Sequence, residues 1–424
     1  MDNKQKLEKI IGAMFSQGKQ KFIPGKTFIP TGQAVYDEHE IISVVESLLS
    51  RKLGLNTRGL EFENKFAEYT HSKSCVLTNS GSSASLLALD SIKNVRSLKG
   101  GEVITPACGF PTTINPILQL GFTPVFTDVD KDYNLSPELL SEAITPETVG
   151  VVFAHTLGNP ARVKEIMEIA NQRGLFVLED CCDAYGSEYQ FQKCGSFGTV
   201  STFSFYPAHS ITLGGEGGAV NTNNLKIDKM LRSLRDWGRD CTCLAGEDNR
   251  CGRRFGFSLG DIPYDHKYIY STLGYNLKPT EMQAAMGLVQ LGRIEKFNEQ
   301  RKENYQLFSK ALSELGGDFD FIKVNQGADP VLFGFPLKIK NSKINRQDLV
   351  RYLNDSNIGT RYVFGGNLTL HPAYKNAKYR VSGKLEETNE ITRNSFWMGI
   401  HPGMNEEMIE YVAKTIKFYL ESKS

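Results

Sequence analysis

Between about residues 74 and 220 the chain alternates short apolar runs with stretches of helical period. The run VGVVFAHT (149–156) is followed by the helix-like ARVKEIMEIANQRG (161–174) and then by LFVLEDC (175–181). Apolar runs too short for a helix read as strands, and strand, helix, strand in succession is the rhythm of a parallel sheet with helices on both faces. The pattern therefore predicts an α/β chain whose ligand-binding residues sit at the strand ends. Beyond residue 290 the pattern changes to a helix over roughly 291–315, an isolated strand FGFPLKIK (333–340) and a helix NRQDLVRYLNDSNI (345–358). A closing helix follows, with Ile409, Val412, Ile416 and Tyr419 recurring on one face. We read residues 1–290 as a large domain with an N-terminal helical segment, and 291–424 as a smaller α+β domain. Residues 240–267 are polar, rich in Gly and Arg and without periodicity, which predicts a long functional loop.

Charge narrows the function classes. A formal net charge of +1 over 424 residues argues against a chain built to grip nucleic acid or an anionic membrane. The N-terminus, MDNKQKLEKIIGAMFSQGKQ, reads as an amphipathic helix and lacks the apolar run of a signal peptide or membrane span, so a cytoplasmic location is expected. In a reducing compartment the eight cysteines are expected as thiols, either metal ligands or buried apolar residues.

Four segments carry candidate chemistry. LTNSGSSASLLAL (77–89) puts Gly81, Ser82 and Ser83 at the start of a helical run, where N–H groups and hydroxyls can surround a phosphate. TPACGFPTTINP (105–116) presents Phe110 on a turn shaped by Gly and Pro, suited to stacking on a flat heteroaromatic ring. LEDCCDAYG (178–186) sets Asp180 at a strand end, where a carboxylate can pair with a pyridinium nitrogen. FSFYPAHSITLGGEGGAV (203–220) offers Ser204 as a further phosphate contact and His209 as an acid or base, since imidazole exchanges protons near neutral pH without special tuning.

In this order and at these separations the segments resemble the fold-type I pyridoxal-phosphate enzymes of the DegT/StrS sugar aminotransferase and dehydrase group. The likeness implies a three-layer sandwich of the pyridoxal-phosphate-dependent transferase type with the smaller C-terminal domain. It assigns phosphate contacts to Gly81, Ser82 and Ser204, ring stacking to Phe110, the pyridine-nitrogen partner to Asp180 and the base to His209. His209 occupies the position where many aminotransferases of the group carry their cofactor-anchoring lysine, so the implied chemistry moves from transamination to elimination. Asp183 stands where a Gln or His commonly contacts the cofactor hydroxyl, which leaves that contact open. LGYNLKPTEMQAA (273–285) resembles the segment whose asparagine, here Asn276, reaches the phosphate of the neighbouring subunit, implying a homodimer with shared active sites. IGTRYVFGGNL (358–368) brings Arg361 as a substrate contact. The form with His209 is similar to the sugar 3-dehydrases, implying a noncovalently held pyridoxamine phosphate (PMP) and a nucleotide-linked 4-keto-6-deoxyhexose that loses its C3 hydroxyl, as in 3,6-dideoxysugar synthesis for lipopolysaccharide.

Cysteine spacing refines the resemblance. Cys241, Cys243 and Cys251 form C-x-C-x7-C on the loop, with Cys182 upstream. Four thiolates are what a [2Fe–2S] cluster needs, and the pattern is similar to that of the iron–sulfur dehydrases acting on CDP-4-keto-6-deoxy-D-glucose, with electrons from a separate NAD(P)H-dependent reductase. Cys194 is the substitute for Cys182, zinc is the rival metal, and Cys75, Cys108 and Cys181 read as buried apolar residues. The competing readings are a cluster-free, glutamate-driven 3-dehydratase and a non-catalytic regulator on the same scaffold. An aminotransferase using Lys193 or Lys278 is a further reading, although neither lies at the matching loop position.

Overall fold

The computed structural model describes residues 3–17, 21–243 and 247–423. Seven strands of its main sheet are β1 (Ser74–Thr78), β2 (Glu102–Pro106), β3 (Thr123–Thr127), β4 (Thr148–Ala154), β5 (Phe176–Asp180), β6 (Val200–Ser204) and β7 (Gly218–Thr222). They run in the order β1-β7-β6-β5-β4-β2-β3, and Arg380–Val381 adds an eighth strand at the β3 edge. From β6 to β3 the neighbours are parallel, whereas β7 runs antiparallel to both β6 and β1.

Alternation along these strands explains the burial of both faces. Val103, Phe126, Val152 and Leu178 pack into the core on one side, and their neighbours Ile104, Val125, Val151 and Val177 pack on the other. Side chains two apart share a face, so a continuous Val/Ile/Phe run fills two layers at once. The expected three-layer α/β architecture is what the chain adopts.

A second sheet holds Phe319–Phe321, Gly334–Ile339, Ser395–Gly399 and Thr360–Arg361. The helices around it are Ile294–Ala311, Arg346–Asp355 and Glu406–Glu421, the first two a few residues shorter than their expected spans. Ile409, Val412, Ile416 and Tyr419 all lie in its core, together with Phe22 and Ile29 from the N-terminal segment. Ile29 also bridges Ile358.

The expected loop at 240–267 is not wholly irregular. Phe257–Leu259 pairs with Ile262–Tyr264 as a hairpin; the run FSLGDIPY is too short and too interrupted to show strand period in the sequence. No helix among the described residues is long and apolar enough to cross a membrane.

Candidate active site

The candidate phosphate end lies where β1 enters the helix Gly81–Val95. Ser80 caps this helix, its Oγ accepting from Ser83 N at 3.1 Å, which leaves the Gly81 and Ser82 end of the helix for a ligand. Ser82 is exposed, whereas Ser204, at the end of β6, is buried. A Cβ on Gly81 would come within 2.5 Å of Ser204 Cβ, so only glycine lets the two segments close into one cradle. Arginines hold the floor: the fully enclosed Glu63 carboxylate binds Arg232 and Arg235, each at 2.7 Å, and accepts from Leu77 N in β1. Burial alone would raise the Glu63 carboxyl; the two guanidinium charges outweigh it and hold it below its ordinary value.

Asp180 ends β5, where its Oδ1 accepts from Cys182 N at 3.1 Å and its Oδ2 from the Thr113 hydroxyl at 2.6 Å. Thr113 lies on the helix Pro111–Gln119, whose N-cap is Phe110. The stacking candidate and the pyridine-nitrogen candidate are thus tied to one another through the first turn of this helix. Phe110 is 52% exposed and meets Phe364 edge-on at 6.3 Å. Its turn is clamped by Gly365 N donating to Gly109 O at 3.0 Å and Leu368 N to Ala107 O at 2.9 Å.

His209 lies on the turn after β6, its N–H bonded to Tyr206 O. Nδ1 is 3.4 Å from Asp183 Oδ1 in an ion-pair contact without hydrogen-bond alignment, and the ring lies against Phe333 at 5.2 Å. The Asp183 that the family pattern left open therefore has a partner in the protein, and Nε2 is left as the nitrogen for proton transfer.

Two expected contacts lie outside this cluster. Asn276 is exposed on a strand-like segment held by Leu277 N to Arg235 O and by Asn79 N to Leu277 O at 2.8 Å, which fixes it beside the end of β1. Arg361 is also exposed, and among the described residues its guanidinium bonds only the neighbouring Thr360 carbonyl, at 2.9 Å. The competing lysines are committed elsewhere: Lys193 to Glu295 and the Tyr69 ring, Lys278 to Asp236 and the Trp237 ring.

Cys241, Cys243 and Cys251 line one cavity, together with His266, Arg254, Lys267, Asp248 and Asn249. Cys182 is not among its walls. Its N–H is bonded to Asp180, and burial with the Asp180 charge pushes its thiol well above the ordinary value. The chain thus gathers three of the four expected thiols, and leaves the fourth at the cofactor end. Cys194 is buried with its thiol likewise pushed up, and Cys75, Cys108 and Cys181 are buried as expected.

Sequence reasoning missed His266. Its Nε2 meets Asp240 Oδ2 at 2.8 Å, its Nδ1 lies 3.8 Å from Cys251 Sγ and its ring stacks on Phe257 at 3.7 Å. The Asp240 carboxylate thus holds the imidazole with its other nitrogen toward the Cys251 sulfur. An Arg253 N–H and then His266 hold the Cys251 thiol below its ordinary value. Thr113 and Phe333 were missed as well, because neither carries a motif of its own.

A model of the DegT/DnrJ/EryC1/StrS aminotransferase family matches residues 35–417. The chain belongs to this family. It is 46% identical over 400 residues to the lipopolysaccharide biosynthesis protein RfbH of Salmonella typhimurium, covering 92% of this chain and 91% of that one. It is 43% identical over 417 residues to the dTDP-4-dehydro-2,6-dideoxy-D-glucose 3-dehydratase of Saccharopolyspora spinosa, covering 96% and 90%. Among solved structures, a GDP-4-keto-6-deoxymannose-3-dehydratase with a trapped PLP–glutamate geminal diamine superimposes with a TM-score of 0.82 at 27% identity, covering 92% of this chain and all of that one. The family members share the pyridoxal-phosphate transferase architecture that β1 to β7 build here.

Proposed function

We propose that this chain is a PMP-dependent 3-dehydratase of a nucleotide-linked 4-keto-6-deoxyhexose. The observation that carries the reading is His209 on the post-β6 turn, backed by Asp183 on its Nδ1 side. The 3-dehydratase relatives support the reaction class. They act on dTDP- and GDP-linked sugars, so the proposal is made at the level of a nucleoside diphosphate sugar, and the CDP sugar implied by the cysteine pattern is its finer form.

The residues present fit the cofactor. Gly81, Ser82 and Ser204 would take its phosphate in a cradle that a larger residue at 81 would fill. Asp180, oriented by Thr113, would face its pyridine nitrogen, with Phe110 over the ring. Bound PMP supplies an amine for the C4 ketone and a conjugated ring that takes up electrons. His209 Nε2 would accept a proton and return it to the departing C3 hydroxyl, which leaves as water, and Asp183 would stabilise the imidazolium in between. Without a lysine on this turn nothing anchors the cofactor covalently, which leaves it free to exchange.

Two forms of this reading differ in their electron supply. Three cysteines sharing one cavity with an Asp-backed histidine support a [2Fe–2S] centre fed by a separate reductase. The solved GDP-sugar relative holding PLP with glutamate supports the cluster-free form, in which L-glutamate regenerates the amine. We further infer a homodimer in which Asn276 completes the neighbouring phosphate site and Arg361 meets the substrate, and a division of the chain near residue 290. The exposure of both side chains supports these roles.

The test is His209→Lys with PMP and a nucleotide 4-keto-6-deoxyhexose. Dehydration is expected to fall by at least about a hundredfold; undiminished dehydration would remove His209 from the mechanism. Iron analysis, with turnover measured with L-glutamate alone and with a chemical reductant, separates the two forms.

A further inference from the structure

Arg301, on the helix Ile294–Ala311, is 1% exposed. Burial pulls its guanidinium down to about 10, with the Asp183 charge acting in the opposite direction, so it is cationic at neutral pH. A buried cation is costly unless its donors and its charge are used. Among the described residues only Nη1 finds an acceptor, donating to Phe333 O at 3.1 Å, while Nε and Nη2 have no hydrogen-bond partner.

What surrounds this cation points toward His209. Its guanidinium lies over the Phe333 ring at 5.8 Å, and that same ring packs against the His209 imidazole at 5.2 Å and 36°. The other titratable neighbours are Asp183, which meets His209 Nδ1, and His401. Burial, and then the Arg301 charge, push His401 down to about 4, so it is neutral and takes no share of a counter-charge role. Arg301 thereby acts on both groups that hold His209.

We propose that Arg301 is a positioning residue for His209, fixing Phe333 against the imidazole face and presenting a positive charge to Asp183, so that Nδ1 is held inward and Nε2 is aimed at the reacting proton. This rests on the reading of His209 as the base.

The experiment compares Arg301→Met, Arg301→Lys, Asp183→Asn and the Arg301→Met/Asp183→Asn double variant, each full-length and saturated with PMP, with His209→Asn as reference. Arg301→Met is expected to lower kcat about tenfold with KM and PMP affinity nearly unchanged, and Arg301→Lys to restore most of the loss. The double variant is expected to be little worse than Asp183→Asn alone, because both residues act through the placement of the His209 ring. Wild-type kcat in Arg301→Met, equal losses in Met and Lys variants, or multiplying losses in the double variant would overturn the proposal. If Arg301→Met does not fold, Phe333→Leu is read instead: kcat falls at constant KM under the proposal and is unchanged against it. Full turnover in His209→Asn would sink the base reading itself, a result independent of the Arg301 series.

Discussion

Asp183 Oδ1 stands 3.4 Å from His209 Nδ1, with the two side chains only 11% and 16% exposed. A carboxylate at this range steadies the charge that proton uptake on the imidazole creates. Asp183→Asn is therefore expected to lower kcat about tenfold while PMP affinity stays within about threefold, measured by steady-state turnover and by absorbance titration. Equal loss of PMP affinity would make Asp183 a cofactor ligand instead.

Thr113 orients Asp180, the proposed partner of the cofactor's pyridine nitrogen. Its hydroxyl donates to Asp180 at 2.6 Å in a buried setting, and a hydrogen bond to a charged group contributes about 1.5–3 kcal/mol. Thr113→Val should weaken PMP binding by roughly tenfold or more, and Thr113→Ser should restore it. Unchanged affinity in the valine variant would detach Asp180 from the ring nitrogen.

The loop cysteines and the cofactor site are built from different segments, so they should be separable. Cys243→Ala, purified without oxygen, is expected to lose iron while retaining PMP binding. Zinc in the wild-type protein, lost in the variant, would replace the redox reading with a structural one.

Glu63 makes stability pH-dependent. Its folded carboxyl is held below the ordinary value by Arg235 and Arg232, so its contribution is present above the unfolded carboxyl's pKa, about 4.3, and is lost as pH falls toward the lower folded value. Thermal melts should show Tm dropping below about pH 4.5, and Glu63→Gln should lower stability at pH 7 by about 3–5 kcal/mol. A variant as stable as wild type at pH 7 would show that the pair is not holding β1 to the helix behind it.

How much of this could be read from the sequence follows from how local each signal is. The strand runs 149–156 and 175–181 are continuous apolar stretches, so the parallel sheet was visible in them, and Asp180 could be placed at a strand end. His209, Ser204 and Gly81 sit in short motifs of fixed spacing and were equally legible. Arg301, Phe333 and His266 were not: each acquires its role only when the helix Ile294–Ala311, the second sheet or the 257–264 hairpin is brought against distant residues. Cys182 was legible as a neighbour of Asp180, to which its backbone N–H is bonded, whereas spacing alone could not show that the loop cysteines line a cavity of their own. The edge strand Arg380–Val381 is two residues long and is held by pairing with β3 and by Arg380 to Glu102, too little for any period to show.

The most direct measurement is the mass spectrum of the nucleotide sugar formed when the wild-type protein, loaded with PMP, is incubated with a nucleotide-linked 4-keto-6-deoxyhexose. A nucleotide sugar that has lost its C3 oxygen, keeps a C4 ketone and carries no nitrogen is the predicted result, with the cofactor's amine consumed unless a reductant or L-glutamate restores it. A product carrying a new amino group at C4, with the C3 hydroxyl intact, would make the protein an aminotransferase and contradict the role given to His209.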